Sequence, residues 1–152
     1  MSIGLRPPCS FLAALLVAAF SLNWPWEMVQ MPAYVEMSGQ PWREVVPACT
    51  LAAVGDAGIT LAIYAVGALA AGSLGWGLER RWNAYAAAAL LGAAAATAIE
   101  WRALAFGRWS YADQMPVVPE LGVGLWPLVQ LTLLVPAALW IAARWARRIL
   151  HA

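Results

Sequence analysis

The segment Asn23-Trp24-Pro25-Trp26-Glu27-Met28-Val29-Gln30 carries the clearest chemical pattern in the chain. Asn23, Glu27 and Gln30 recur at i, i+4 and i+7, so on a helix they share one face. A carboxyl between two amides can give or take a proton while its neighbours hold it in place. Related groups stand elsewhere: Asp56 with Thr60 one turn on, Glu100-Trp101-Arg102, and Gln130 one turn beyond Trp126. Glu100 and Arg102 lie two residues apart and point to different faces of a helix. Arg102 is therefore expected to reach Glu27 or Asp56, with Asn23 or Gln130 as the second partner for Asp56. Glu100 is expected to seek Arg43, Arg108 or a ligand.

The elements that must position these groups are written in the composition. Of 152 residues 63% are hydrophobic and only 11% charged, against roughly 25% charged in soluble domains, and the mean hydropathy is +0.69. Four apolar runs, at about 10–31, 48–74, 82–106 and 123–145, each reach the roughly 20 residues that cross a bilayer. The expected class is all-α: one integral membrane four-helix bundle over residues 1–152. A cleavable signal peptide is the rival for the first run, with Arg6 ahead of the apolar stretch from Phe11 to Leu22. No small-x-small cleavage site precedes Asn23, and the apolar pattern continues through Trp26 and Met28, so a span is expected.

Arginine placement sets the orientation, because every loop is short. Arg6, Arg80, Arg81, Arg144, Arg147 and Arg148 flank one side, and Arg43, Arg102 and Arg108 the other. Both termini and the second loop are then cytoplasmic, and loops one and three share the outer face. Asn23, Glu27, Asp56, Glu100 and Gln130 each fall within about 12 Å of the outer boundary at about 1.5 Å per residue. The basic residues are all Arg, a bias that fits a bacterial inner (plasma) membrane.

Pro25 removes a helix hydrogen bond and frees a carbonyl. A carboxyl within a span ordinarily faces a bundle interior or a wet cavity, which makes Glu27 a site candidate. In the alternative reading the first helix ends near Trp24, leaving Glu27 among headgroups with Trp24 and Trp26 as interfacial anchors. For Asp56 the two readings are a proton-handling or substrate-binding acid, and a hydrogen bond that only fixes packing. The charges around Glu100 and Arg102 likewise admit a purely structural network.

The third loop runs from Gly107-Arg108-Trp109-Ser110-Tyr111 to Met115-Pro116-Val117-Val118-Pro119-Glu120-Leu121-Gly122-Val123-Gly124. Its prolines favour an extended course and its glycines close backbone approach, so it reads as a lid or as an ordered cover over the helix ends. Trp109 and Tyr111 offer amphipathic rings there, and Trp126 with Gln130 would face the same pocket. The Ala-rich stretch from Ala84 to Ala98, with Gly55, Gly58, Gly67 and Gly92, reads as close-packing helix faces.

Several chemistries are excluded. Cys9 and Cys49 would lie near opposite faces, roughly 30 Å apart, where a disulfide needs Cα atoms within about 7 Å; two free thiols are expected. The single histidine, His151, next to the C-terminus, offers neither haem ligation nor a metal site. There is no phosphate-binding glycine loop and no paired-cysteine motif, so no metal or cofactor is expected. The net charge of +1 gives no basic field for nucleic acid.

The order of acidic residue, helix end, Gly-x-Trp-x-Tyr and Pro/Gly-rich return between Glu100 and Pro127 resembles the membrane proteins of carotenoid biosynthesis, the bacterial lycopene cyclases and carotenoid hydratases. Pro25-Trp26-Glu27 is a looser match to their helix-borne acidic motif. Those families have more helices, and the cyclases carry adjacent acidic residues where this chain has Glu27 alone. The resemblance implies protonation of a polyene double bond by Glu27, Asp56 or Glu100. As a whole the chain also resembles a group of small four-helix bacterial membrane proteins, which implies no activity.

The leading expectation is a pocket that binds, or carries out acid-base conversion of, a membrane lipid or isoprenoid. Glu27, Asp56 and Glu100 would be its acids and bases. Asn23, Trp26, Gln30, Arg102, Trp109, Tyr111, Trp126 and Gln130 would bind the substrate. The alternatives are an accessory or assembly subunit of a larger membrane complex, with homo-oligomerisation open, and a small proton-coupled transporter. A transporter calls for polar groups in both halves of the membrane, and here they gather in one.

Overall fold

The computed structural model describes residues 9–78 and 81–150, with side chains to Arg148. Arg6, Arg80 and His151, which entered the orientation and metal expectations, lie outside the described residues. Four helices are long and apolar enough to cross a membrane: α1 (Cys9–Gln30), α2 (Trp42–Ala71), α3 (Trp82–Ala105) and α4 (Leu125–Leu150). They run alternately up and down, so loops one and three lie at one end and the second loop lies at the other, with Cys9 and Leu150.

Two boundaries differ from the expected ones. α2 begins at Trp42 rather than near residue 48, with Pro47 inside the helix. Proline at the sixth position costs α2 one backbone hydrogen bond. At 30 residues α2 is about 45 Å long. It stops at Gly72 in the left-handed region (φ 60°), whose N–H bonds back to the carbonyls of Ala68 and Leu69. α4 continues to Leu150, past the expected 145.

The third loop is also more ordered than an extended return. It folds a two-residue hairpin, β1 (Val117–Val118) against β2 (Val123–Gly124), paired Val117 to Gly124 and Val118 to Val123. Val123 and Gly124 are buried, and α4 starts directly behind them.

α1 packs against α2 and α4, and α4 against α3, whereas α2 and α3 touch little. The α3/α4 approach is set by Gly92: a Cβ there would stand 2.4 Å from the Leu131 carbonyl oxygen. Gly67 does the same against the Trp76 ring. Gly55 and Gly58 depart from the expectation of close packing, for a Cβ at either meets nothing within 4 Å. The half towards the second loop is filled by Phe11, Leu15, Val135, Leu139 and small alanines. There Tyr64 stacks on Trp76, and Arg147 donates to the Leu78 carbonyl at 2.8 Å. Cys9 and Cys49 are both free.

Candidate acid-base and binding site

α1 stays helical through Pro25 to Gln30, which turns the Asn23, Glu27, Gln30 stripe inward. Glu27 is 6% exposed, so it belongs to the bundle interior and not to a solvated helix end. Gln130 on α4 faces the stripe, and Asp56 on α2 completes it. The Nε2 of Gln130 lies 2.7 Å from Glu27 Oε1, 2.8 Å from Asp56 Oδ2 and 2.9 Å from Asn23 Oδ1. The Nε2 of Gln30 donates to Glu27 Oε1 at 2.8 Å and to Gln130 Oε1 at 3.0 Å.

A primary amide has two protons, so Gln130 cannot serve three acceptors at once. Glu27 and Asp56, from different helices, are thereby drawn to the same amide nitrogen. The result is a carboxyl pair drawn from two helices, framed by Asn23, Gln30 and Gln130. Thr60 supports it from below by donating to the Asp56 carbonyl at 2.9 Å.

Among the described residues no cation joins the pair, which overturns the expected contact with Arg102. That residue is exposed, with its guanidinium 6.0 Å from the Phe106 ring centre. The two-residue spacing does turn it away from Glu100, but outward rather than towards α1 and α2. Among the described residues the single ion pair is Arg43 with Glu44, at 3.9 Å on the surface.

Glu100, 3% exposed, organises a second cluster with neutral donors in place of the expected Arg43 or Arg108. Trp109 Nε1 donates to it at 3.3 Å and Tyr34 OH at 3.5 Å, and Tyr111 OH makes a short bond to its Oε2. The Tyr111 oxygen in turn accepts from the Gly124 N–H at 2.8 Å, which ties the hairpin to α3. Burial, and then the Glu100 charge, holds the Tyr34 phenol far above its ordinary pKa. Burial and the bond to Glu100 do the same for Tyr111. Both phenols stay protonated donors.

Loop one is the part of the site that sequence reasoning missed. Tyr34 pairs with Tyr111 as an isolated antiparallel bridge. Val35 N–H donates to the Ser110 carbonyl at 3.1 Å, and Ala112 N–H to the Ala33 carbonyl at 2.9 Å. Glu36 accepts from the Ser110 N–H at 3.0 Å and from its hydroxyl at 2.8 Å. The bond from the Ser110 backbone holds the Glu36 carboxyl below the usual carboxylate range. The alternation Tyr34-Val35-Glu36 was the available signal, though three residues are too few to name a partner.

A cavity of about 580 Å³ lies between the two carboxyl clusters. Glu27, Gln30, Asp56 and Gln130 form one wall, Glu100, Trp109 and Tyr34 another, and Met31, Ala52, Ile59, Ala96 and Leu131 much of the rest. Arg108 lines it too, its guanidinium making no hydrogen bond or ion pair among the described residues. Of the expected substrate-binding residues, Gln30, Trp109 and Gln130 line the cavity, while Asn23 and Tyr111 stand behind them. Trp26 and Trp126 do not line it. They pair edge to face at 6.4 Å outside the wall, with Trp26 donating to Gln30 Oε1 at 3.2 Å. No group of His, Cys, Asp and Glu suited to a metal occurs among the described residues.

Comparison of the chain with protein-family models, curated proteins and solved structures found no match.

Proposed function

We propose that this is a multi-pass protein of a bacterial inner membrane, with both termini cytoplasmic, whose cavity binds or carries out acid-base conversion of a lipid or isoprenoid. The observation that carries the reading is the Glu27–Asp56 pair, both carboxyls held on the Gln130 amide nitrogen, on the wall of a cavity otherwise lined largely by apolar side chains. Two carboxyls held side by side, one with a proton and one without, would be the equipment for general acid and general base catalysis. The volume suits a small organic ligand, for which roughly 300–1,000 Å³ is usual.

On such a substrate the protonated carboxyl would give its proton to one carbon of a double bond, and a carboxylate would take one from a neighbouring carbon. Trp109 would face the transient cation, which aromatic faces stabilise. Glu100, held by three neutral donors, is the second acid. Protonation of a double bond by one of these acids is the role that the resemblance to the carotenoid proteins implies. The packed core on the side of the second loop favours a site over a transport path.

The test is native mass spectrometry with lipid extraction on protein in mild detergent, comparing wild type with Asp56→Asn and Glu27→Gln. A specific lipid or isoprenoid, lost from either variant, is the expected result. Bulk phospholipid alone, unchanged by both substitutions, would leave an accessory subunit of a larger complex as the better reading.

A further inference from the structure

The cavity has two ends to which a ligand could come. At one, loops one and three are joined by the Tyr34–Tyr111 bridge and by the bonds of Glu36 to Ser110. The other side is the seam between α2 and α3, which touch far less than the other neighbouring helices of the bundle. Along that seam the lining residues are also outer surface. Leu51 is 74% exposed and Ile99 38%, and Gly55 between them is exposed with open space where a Cβ would be. An apolar residue that both lines a cavity and faces outward marks an opening. Here it lies partway along two helices of membrane-spanning length, where the surroundings of an inserted bundle are hydrocarbon.

We propose that the cavity is filled from the side, the α2/α3 seam being a portal through which the apolar chain of a membrane-dissolved amphiphile reaches the Glu27–Asp56 pair. The inference rests on the binding reading above and narrows its ligand to a chain-bearing lipid that never leaves the bilayer. Open sheet edges and unpaired backbone cannot face lipid, but two intact helices with a gap between their side chains can. Gly55 holds the gap open: it lacks the side chain that would lie across the seam. Ala52 and Ala96, small residues on the facing walls, leave room behind it.

The test uses two photoreactive probes on the full chain in phosphatidylglycerol nanodiscs: a long-chain alcohol bearing a diazirine, and a short, water-soluble diazirine alcohol. Adducts are mapped by peptide mass spectrometry at the interior residues Glu27, Met31 and Asp56 and at the outward Leu69 and Leu90. The long-chain probe is expected to label both sets in wild type. In Gly55→Trp it should lose the interior adducts and keep the outward ones. Gly58→Trp, with equal room on α2 but no part in the cavity wall, should behave as wild type. Should Gly55→Trp fail to fold, Leu51→Trp places the same bulk on the same seam.

Interior labelling that survives both Gly55→Trp and Leu51→Trp would overturn the portal. So would interior labelling by the short probe alone, which would mean entry from water. In either case lipid extraction still decides the binding reading independently. Outward adducts with none inside wild type would likewise overturn the proposal.

Discussion

Glu27 and Asp56, on different helices and 29 positions apart in the chain, both accept from one amide nitrogen, that of Gln130. The amide therefore acts as the keystone of the site. Removing it strands the Asp56 carboxyl oxygen and the Asn23 carbonyl oxygen in a buried setting, at about 1–3 kcal/mol for each group left without a partner, while Glu27 Oε1 keeps its bond from Gln30. Gln130→Leu is expected to lower thermal stability in detergent markedly. Asp56→Asn supplies a new amide donor to Glu27 in the same space and should melt near wild type. If Gln130→Leu melts no lower than Asp56→Asn, the keystone role is wrong.

Gly92 sets the distance between α3 and α4. A Cβ 2.4 Å from the Leu131 carbonyl oxygen meets backbone, which cannot swing aside as a side chain does. Gly92→Ala should cost about 1–3 kcal/mol, the usual range for overpacking, read as a lowered unfolding midpoint. Gly58→Ala, with open space around it, should leave the midpoint unchanged. Equal midpoints for the two variants would mean that the helices separate freely.

Much of this was legible beforehand, for a physical reason. Apolar runs of bilayer length declare helices, and the i, i+4, i+7 stripe declares which face of α1 turns inward. Partners were less legible. The sequence places Arg102 on a different face from Glu100 but not the rotation of α3 within the bundle, and that rotation sends the guanidinium outward over Phe106. Opposite charges invited pairing, whereas the bundle satisfies its acids with amides, phenols and an indole. Loop one carries little signal of its own, because Tyr34 and Glu36 acquire meaning only from Tyr111 and Ser110, more than 70 positions later.

The bond of Glu36 to Ser110 should be sensitive to acid. The folded-state pKa of Glu36 lies below its ordinary value of 4.5. Its contribution to the joined loops is therefore complete above 4.5 and is lost as the pH falls through the lower, folded value. NMR of the Ser110 amide in micelles should show a titration with its midpoint under 4.5, absent in Glu36→Gln. A midpoint at or above 4.5 would show that the carboxylate gains nothing from Ser110.

Tyr111 joins the acid cluster to the hairpin, since its hydroxyl bonds to Glu100 and accepts from the Gly124 N–H. Tyr111→Phe keeps the ring but leaves that backbone N–H without a partner and removes one donor from Glu100. The expected cost is about 1–3 kcal/mol, concentrated where the hairpin meets α4. Hydrogen exchange should rise in the peptide from Val117 to Trp126. Tyr34→Phe is the discriminating comparison, because Tyr34 donates to the same carboxylate at 3.5 Å but makes no bond to Gly124. It should leave exchange in the hairpin unchanged. Because burial and Glu100 hold the Tyr111 phenol above its ordinary pKa, the contrast between the variants should persist across the neutral range. If both variants loosen the hairpin equally, the Glu100 cluster as a whole orders the loop and the Tyr111 link to Gly124 is incidental.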